Sequence, residues 1–341
     1  MHAPVPPETA RLIYIDEALP GFTRRKAGRG WCYLDTEGKR ITDRLEIDRL
    51  NAIGLPPAYE RAWFCPDPAG HILATGFDAK GRKQYRYHPE FRAAREGEKF
   101  DGCASFGRLL PKVRKRVEQD LSSHKLSRER AIASVVRLLD SGGLRVGNEA
   151  YARENKSFGA TTLRMRHARL KGQELRLRFK AKSGKLREMA ITDRSLARFV
   201  KAMQDLPGQH LFQYLGEDGA PCPVGSADVN AYLCETMGER FTAKHFRTWH
   251  ASVLALQCLG EADGQLKLKE MLTVVAERLG NTPAIARKSY VHPAVLALVE
   301  RQAKWRGALR LPRATQWLSR WERALIELLE EAPSALELVK A

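Results

Sequence analysis

The 341-residue sequence lacks the features of a membrane or secreted protein. No stretch approaches the roughly eighteen consecutive apolar residues that a transmembrane helix needs. The amino terminus, Met1–Ala10, contains prolines and Glu8 but no apolar segment of the kind that a secretion signal requires. We therefore expect a cytoplasmic protein.

Metal-binding and nucleotide-binding motifs are also absent. None of the 6 cysteines lies in a Cys-x-x-Cys pair, and His245 and His250 fall outside the i, i+4 spacing of two ligands on one helix face. No Gly-x-x-x-x-Gly-Lys-[Ser/Thr] phosphate-binding loop occurs. The sequence thus predicts reduced thiols and a protein that uses no metal, cofactor or ATP.

Positive charge, by contrast, is abundant. The chain has 58 Lys and Arg against 40 Asp and Glu, which gives a net charge of +18 at pH 7. An excess of this size indicates a polyanionic partner, and nucleic acid is the strongest candidate. Such binding weakens steeply with salt. Acidic lipid is a weaker candidate because no basic amphipathic anchor stands out.

The first ninety or so residues have the pattern of β-structure. Short runs rich in β-branched and aromatic residues alternate with Pro, Asp and Gly clusters, as in an antiparallel meander. We predict strands at Arg61–Cys65, His71–Phe77 and Arg82–Tyr87, and a hairpin that pairs Trp31–Leu34 with Arg40–Thr42. Pro89 and the polar stretch 96–99 predict a linker near residue 92.

Beyond that point the pattern becomes helical. Apolar spacing predicts helices at Leu126–Asp140, Arg194–Met203, Asp228–Met237, Ala243–Leu259 and Leu266–Leu279, a short helix from Thr282-Pro283, and an amphipathic helix in Thr315–Lys340. Alternation within Leu163–Ile191, beginning at Leu163 and Met165, predicts a three-stranded sheet with a turn at Ser183-Gly184. The predicted fold class is α+β: a small β-rich N-terminal domain (1–92), then a mostly helical catalytic domain that contains a small three-stranded antiparallel sheet (93–341).

Four residues of the second domain suit phosphodiester chemistry. Breaking such a bond without a metal requires a nucleophile, cations for the phosphate charge and a proton donor for the leaving oxygen. Tyr290 offers a phenol next to a proline break, and Arg145 and Arg247 offer guanidinium groups that remain charged. Lys182 lies at the tip of a predicted hairpin, where it can reach a ligand. Each residue alone is more often an ordinary surface or helix-end residue.

Their combination resembles a known family. The local contexts are Leu-Arg-Val-Gly-Asn at Arg145, Phe-x-x-Lys-Ser-Gly at Lys182, Lys-x-x-Arg-Thr at Arg247 and Lys-x-Tyr at Tyr290. In order, context and the 37-residue interval from Arg145 to Lys182, the chain resembles the type IB DNA topoisomerases, and most closely the compact poxvirus-like enzymes found also in bacteria. The resemblance runs from about Gly81 to the helix after Tyr290.

The resemblance implies roles for these side chains. Tyr290 would form a 3′-phosphotyrosyl linkage, Arg145 and Arg247 would stabilise the phosphorus centre, and Lys182 would protonate the departing 5′ oxygen. The family usually has a histidine nine residues before the tyrosine, where this chain has Asn281. An asparagine amide donates a hydrogen bond to a non-bridging oxygen but carries no charge.

Cations interleaved with aromatic residues occur at Gly81–His88 and suit a strand laid on a duplex. Alternation places Lys83, Tyr85 and Tyr87 on one face and Gln84 on the other. The resemblance implies DNA contacts by Lys83, Gln84, Tyr85 and Tyr87, and by Tyr151 and Lys244 near the cleaved phosphate. It further implies a monomer whose two domains clamp duplex DNA, preferably supercoiled, at the nucleoid.

Two alternatives remain. A tyrosine recombinase has the same tyrosyl chemistry, but it usually has a histidine where this chain has Lys244, and its N-terminal domain is typically helical. A non-catalytic DNA-binding protein of the same fold is supported only by Asn281. The reaction product distinguishes the three hypotheses. A topoisomerase relaxes one supercoiled plasmid, a recombinase joins two separate sites, and a non-catalytic protein does neither.

Overall fold

A computed structural model of the chain describes residues 12–28, 30–204, 206 and 208–340. The segment examined for a secretion signal, Met1–Ala10, lies outside the described residues. The chain divides into two compact units, one that ends at Glu98 and one that begins at Lys99. The α+β prediction is confirmed, including the N-terminal antiparallel sheet and the separate three-stranded sheet.

The first unit is built on a five-stranded sheet in the order β2-β1-β3-β4-β5, in which every neighbouring pair is antiparallel. Its elements are β1 (Phe22–Ala27), β2 (Gly30–Leu34), α1 (Arg44–Ala52), β3 (Glu60–Phe64), β4 (Ile72–Phe77) and β5 (Lys83–Tyr87). Tyr33, Leu50, Phe64 and Ala74 form its core. Strand β5 is at the edge of this sheet, so among the described residues one of its sides has no strand partner.

The strand Trp31–Leu34 does not form the predicted hairpin with Arg40–Thr42. Strand β2 pairs along its length with β1, and Arg40 forms only an isolated bridge with Leu34. The side chain of Asp35 accepts hydrogen bonds from the amides of Glu37 and Lys39, both at 2.9 Å, and so closes a tight turn. Helix α1 begins shortly afterwards, which leaves the return segment too short to form a strand.

The linker predicted near residue 92 is wrong. Helix α2 (Pro89–Ser122) is continuous through this region. Pro89 is the first residue of the helix, where its missing N–H has no intrahelical partner to lose, so it initiates the helix and does not break it. Of the polar residues that suggested a loop, Glu98 is exposed and Lys99 is half-buried on this helix, as expected for a helical surface.

The second unit is mostly helical. Its further elements are α3 (Arg128–Gly142), α4 (Glu149–Asn155), β6 (Ala168–Lys171), β7 (Glu174–Lys180), β8 (Leu186–Thr192), α5 (Arg194–Gln204), β9 (Gln213–Leu215), β10 (Pro221–Pro223), α6 (Ser226–Met237), α7 (Ala243–Glu261), α8 (Leu268–Leu279), α9 (Pro283–Ser289), α10 (Pro293–Ala297), α11 (Gln302–Ala308), α12 (Arg320–Glu331) and α13 (Ala335–Lys340). Strands β6, β7 and β8 form the three-stranded antiparallel sheet, and β9 and β10 form a two-stranded one.

Two expected elements have different bounds. Leu163 and Met165 precede the sheet, because Met165–His167 forms a single helical turn closed by a hydrogen bond from the Arg164 amide to His167 Nδ1 at 3.1 Å. The carboxy-terminal helix is split into α12 and α13. Pro333 lies between them and lacks the N–H that a continuing helix needs.

Helix α3 lies at the centre of this unit. It packs against α5, α6, α7, β8 and β9, and its apolar side chains from Ala131 to Leu139 are buried. Ser127 caps its amino terminus by accepting a hydrogen bond from the Arg130 amide at 3.3 Å, and Gly143, with φ of 58°, ends it. The carboxyl end of this central helix is where the candidate site begins.

Candidate active site

The loop after α3 carries Arg145 and is fixed by backbone contacts. Ala160 N donates to Arg145 O at 2.9 Å. Gly159 lies so close to the loop that a Cβ there would be 2.6 Å from Arg145 O and from the Cα of Gly147. Because only glycine allows this approach, the local sequence fixes where the Arg145 side chain begins.

Arg247 lies in the first turns of α7, with only 3% of its surface exposed. Its Nη1 donates to Gly143 O at 2.5 Å and its Nη2 to Leu279 O at 3.0 Å. These carbonyls end α3 and α8, and helix carboxyl ends carry partial negative charge that favours a cation. Within the described ranges, neither Arg145 nor Arg247 forms an ion pair with a carboxylate.

Asn281 follows directly on the end of α8. Gly280 adopts φ of 64°, and Asn281 N donates to Ala276 O at 2.9 Å, so the reversal after the helix fixes the residue. Arg145 Nη2 donates to Asn281 Oδ1. This hydrogen bond orients the amide, and Asn281 Nδ2 is buried with no hydrogen-bond partner among the described residues. The arrangement leaves a hydrogen-bond donor available at the position that the sequence singled out.

Lys182 lies in the turn between β7 and β8, as predicted. Ala181 N donates to Lys185 O at 2.8 Å, and Gly184 N donates to Ala181 O at 3.0 Å. Both Ser183, at φ of 65°, and Gly184, at φ of 72°, are left-handed. For serine this conformation costs about 1 kcal/mol or more, so the turn holds a specific shape at some expense.

Tyr290 is the residue that ends α9. Thr282 Oγ1 accepts a hydrogen bond from Ile285 N at 3.3 Å and Pro283 is the first helical residue, which confirms the predicted helix start. The amide of Tyr290 donates to Ala286 O at 3.0 Å. The half-buried ring lies with its centroid 4.8 Å from Cζ of Arg247.

The backbone on both sides of the tyrosine is also fixed. Ser252 Oγ, on α7, accepts a hydrogen bond from His292 N at 3.0 Å, and its single proton is shared between Thr248 O at 2.9 Å and Tyr290 O at 3.3 Å. Lys99 Nζ, on α2, donates to Ser289 O at 2.6 Å. The phenol is therefore carried by a segment that is tied to α7 and α2.

The electrostatics around Tyr290 favour its phenolate. Burial alone would raise the pKa of the phenol, but the charge and hydrogen bonding of Arg247 and the charges of Arg145 and Lys244 outweigh it. The pKa of Tyr290 therefore lies below the usual 10.0. Lys244 is exposed in the first turn of α7, so it contributes charge from the solvent side.

Four of the predicted residues of this unit line one region: Arg145, Tyr151, Lys182 and Arg247. Arg145, Lys182 and Arg247 border one cleft, and Arg145 and Lys182 also border an adjoining cavity of about 230 Å³ together with Tyr151. Side chains from α3–α4, β7–β8, α7 and the α8–α9 reversal thus meet at one place. Tyr151 lies in α4, whose cap Asn148 accepts a hydrogen bond from the Tyr151 amide at 3.0 Å.

Arg187 lines the cleft as well and was not identified from the sequence. On β8 it alternates with Met189 and Ile191, and it pairs with the buried Phe179 of β7. A charged residue on the core-facing side of an amphipathic strand is the signal that could have revealed it.

The predicted DNA-contacting strand, β5, belongs to the first unit. Tyr85 and Tyr87 are exposed and stacked, with centroids 5.7 Å apart, as the alternation predicts. Lys83 Nζ lies 2.7 Å from Glu17 Oε1, and the Tyr85 hydroxyl donates to the same oxygen at 3.1 Å. Gln84, on the other face, donates to a different carboxylate, Asp78 Oδ2, at 3.1 Å.

No group of three or more His, Cys, Asp or Glu side chains in the part of the chain that the structure describes is arranged to hold a metal ion. None of the described helices combines the length and the hydropathy that crossing a membrane requires.

Known families match most of the chain. Residues 88–306 match the family described as eukaryotic DNA topoisomerase I, catalytic core, and residues 30–78 match bacterial DNA topoisomerase IB, N-terminal domain. DNA topoisomerase 1B of Acanthamoeba polyphaga mimivirus is 32% identical over 296 residues, covering 83% of this chain and 88% of that protein. DNA topoisomerase 1B of vaccinia virus, strain Copenhagen, is 22% identical over 248 residues, covering 71% and 76%. Among solved structures, the XerH site-specific recombinase bound to palindromic difH matches with a TM-score of 0.38 and 17% identity, covering 56% of this chain and 50% of that one.

Proposed function

The chain belongs to the type IB DNA topoisomerase family of enzymes, and we propose that it relaxes supercoiled duplex DNA by ATP-independent cleavage, rotation and religation of one strand. The observation that carries the proposal is the meeting of Arg145, Lys182 and Arg247 at one cleft, with the Tyr290 ring against Arg247. These residues are far apart in the sequence, and no carboxylate in the described ranges neutralises the two arginines.

The first step is an in-line attack on a phosphodiester. Tyr290 Oη, having given its proton to water, forms a bond to phosphorus while the bond to the 5′ oxygen breaks. The lowered pKa of Tyr290 makes the phenolate more available near neutral pH. The product is a 3′-phosphotyrosyl linkage and a 5′-hydroxyl end.

Charge that develops on the non-bridging oxygens is stabilised by Arg145 and Arg247, with a hydrogen bond from Asn281 Nδ2. Groups held in place before the reaction need no reorganisation in the transition state, which makes them effective. Lys182 gives its proton to the departing 5′ oxygen. The 3′-phosphotyrosyl linkage is itself a phosphodiester and keeps the energy of the bond that was broken. Attack by the 5′-hydroxyl on phosphorus, with Tyr290 Oη as the leaving group, therefore reseals the strand after rotation without ATP.

DNA contacts complete the proposal. Lys83, Gln84, Tyr85 and Tyr87 bind the duplex from the N-terminal domain, expected over 1–92, while Tyr151 and Lys244 bind phosphates near the cleaved bond in the catalytic domain, expected over 93–341. Cations contact phosphates and exposed rings pack on sugars or bases. We expect the protein to act as a monomer on supercoiled DNA at the nucleoid.

Plasmid relaxation tests the proposal directly. Negatively supercoiled plasmid is incubated with the chain in EDTA without ATP, and the reaction is stopped with detergent to trap protein on DNA. We expect relaxed topoisomers and protein attached to the 3′ side of a nick. Tyr290→Phe should abolish both while DNA binding survives, and Tyr214→Phe should leave both unchanged. Joining of two separate DNA sites, or relaxation by Tyr290→Phe, would overturn the proposal.

The proton donor is tested with a modified leaving group. In a duplex with a mapped cleavage site, the bridging 5′ oxygen is replaced by sulfur, which departs without protonation. We expect Lys182→Ala to slow cleavage of the oxygen substrate by about 1,000-fold, within the range for general acid catalysis. The sulfur substrate should be cleaved at close to the unmodified rate. Equal loss on both substrates would remove Lys182 from the role.

A further inference from the structure

Arg187 makes contacts that tie strand β8 to two helix ends. Its Nη2 donates to Gly142 O at 3.3 Å and to Arg278 O at 2.6 Å. These carbonyls belong to the last turns of α3 and α8. Arg278 in turn donates through its own Nη2 to Ser141 O at 2.8 Å, which joins the same two helices.

This junction of helix ends is the base on which the proposed active site is built. Arg145 follows α3, Asn281 follows α8, and Arg247 binds the terminal carbonyls of both helices. Each of these side chains therefore takes its position from the junction. Lys182 is different, because it is carried by the β-hairpin and not by either helix.

In the part of the chain that the structure describes, hydrogen bonds tie the Lys182 hairpin to the rest of the site through both of its strands. On the β7 side, Phe158 N donates to Lys180 O at 2.8 Å. On the β8 side, the attachment is Arg187, whose position opposite Phe179 brings it to the helix ends. Lys182 itself is exposed, and no hydrogen bond holds its ammonium in the described part of the chain.

We infer that Arg187 is a positioning residue that sets the Lys182 hairpin against the junction of α3 and α8, and thereby places the proton donor relative to Arg145 and Arg247. The inference rests on the proposed function of Lys182. Arg187 is suited to this role because a planar guanidinium can bind two carbonyls at once, which an ammonium on a flexible stem does less well.

The packing around Arg187 also supports a structural attachment. Its Nε is buried and has no hydrogen-bond partner in the described ranges. A Cβ on Gly280 would lie 2.9 Å from its Nη1, so the guanidinium is enclosed by the α8 terminus. Burial, together with the charges of Arg247, Arg278 and Arg145, lowers its pKa to about 10. The group remains charged at neutral pH, as its bonds to helix carboxyl ends require.

The test compares two leaving groups in Arg187→Gln. Single-turnover cleavage is measured on duplexes that differ only in oxygen or sulfur at the bridging 5′ position of a mapped site. We expect a loss of about 100-fold on the oxygen substrate, since a displacement near 1 Å has such effects, and a rate within about threefold of the unmodified chain on the sulfur substrate. In a Lys182→Ala background, the same substitution should add little.

Controls separate this role from a loss of fold. Arg178→Gln removes a guanidinium from the exposed face of the same sheet, where it pairs with Glu188 at 2.8 Å, and should leave both rates unchanged. Arg187→Lys keeps the charge and should show a smaller loss on oxygen, again recovered with sulfur. If Arg187→Gln does not fold, as judged by its thermal transition, Arg187→Lys supplies the same comparison.

Each remaining outcome has a definite meaning. An equal loss on both substrates would overturn the inference, because it would place Arg187 at the phosphate charge or in the fold alone. An unchanged oxygen rate would overturn it as well. Lys182→Ala is measured in parallel. If the sulfur substrate does not restore its cleavage rate, the proposed role of Lys182 is wrong, and the inference that rests on it is wrong as well. If the rate of Lys182→Ala is recovered and that of Arg187→Gln is not, only the inference fails.

Discussion

Two arginines of the second unit are withdrawn from solvent but differ in what surrounds them. Arg114 on α2 donates from Nε to Asp140 Oδ2 at 2.8 Å and from Nη2 to Glu322 Oε1 at 2.7 Å. Burial would lower the pKa of Arg114, but these carboxylates raise it well above its ordinary value. Arg247 has carbonyl partners instead, and burial lowers its pKa.

The difference separates a cation that serves the fold from one that is available for a ligand. The charge of Arg114 is neutralised within the protein, and it joins α2, α3 and α12. The charge of Arg247 is only balanced by helix dipoles, so it still attracts an anion next to Tyr290. Trp249 Nε1 donates to Glu322 Oε1 at 3.1 Å, so α7 carries residues of both regions.

The largest effect expected is on Arg247. Arg247→Gln should slow single-turnover cleavage by about 1,000-fold, because it removes a positioned cation and donor from the phosphate. The loss of its hydrogen bonds to carbonyls should lower the free energy of unfolding by about 1 to 2 kcal/mol. Quench-flow cleavage and urea denaturation measure the two effects. If Arg247→Gln cleaves within about tenfold of the unmodified rate, Arg247 does not act on the phosphate and does not differ from Arg114 in this respect.

Glu322→Gln should show the opposite pattern. Removing one partner of a buried ion pair leaves the other charge less compensated, so we expect about 3 kcal/mol less free energy of unfolding. Cleavage measured well below the unfolding midpoint should change less than about threefold. Urea denaturation and cleavage rates provide the check. A large loss of cleavage with unchanged stability would show that the network acts in catalysis.

The difference in free energy of unfolding between the unmodified chain and Glu322→Gln should also depend on pH. Burial would raise the pKa of Glu322, but the hydrogen bonds and charge of Arg114 lower it below its usual 4.5. A depressed folded-state pKa gives stability that is present above the unfolded-state value and lost as pH falls through the folded one. The unmodified chain should therefore lose its advantage over Glu322→Gln progressively as the pH falls below about 4.5, the usual pKa of a glutamate. Denaturation at a series of pH values tests this sign.

A smaller effect is expected at Lys244. Lys244→Gln removes a cation that lowers the pKa of Tyr290, so the rise of cleavage rate with pH should move to higher pH. Below the midpoint, cleavage should slow by roughly threefold, the size expected for a partly screened charge. The sulfur leaving group isolates this ionisation from that of the proton donor. Lys269→Gln, also exposed, is the matched control, and an unmoved profile would exclude Lys244 from the phenolate's surroundings.

The smallest effect concerns the first unit, where Glu17 holds Lys83 in the way that carboxylates hold Arg114. Lys83 must give up this partner to contact a phosphate. Glu17→Gln should therefore raise duplex affinity by about threefold and steepen the dependence of log K on log salt by about 0.9. Glu37→Gln, which frees Lys39 from a pair at 2.6 Å, is the control. Weaker binding by Glu17→Gln would assign Glu17 to the fold.

Local signals in the sequence predicted much of the fold around the site. Gly280 as a helix end, Thr282-Pro283 as a helix start and Ser183-Gly184 as a turn each depend on a few neighbouring residues. Such features follow from backbone conformation and capping, so they are visible in one short stretch.

What the sequence could not show depends on contacts between distant segments. The pairing of Arg114 with Glu322, and the attachment of Arg187 to Arg278 O, join residues that no periodicity relates. Strand β1 was missed because its basic residues do not alternate with apolar ones. A proline breaks a helix in its interior but is well tolerated at its first position. The linker prediction failed because Pro89 occupies that first position in α2.

The use of main-chain oxygens to hold Arg247 also limits how the site can be altered. A peptide carbonyl does not titrate in the range where proteins are folded, and no replacement of a side chain deletes it. Acid that protonates Glu322 leaves the partners of Arg247 chemically unchanged. Attempts to shift the working pH range of this enzyme should accordingly begin with the side chains around the phenol, since the anchoring of the guanidinium offers nothing to tune.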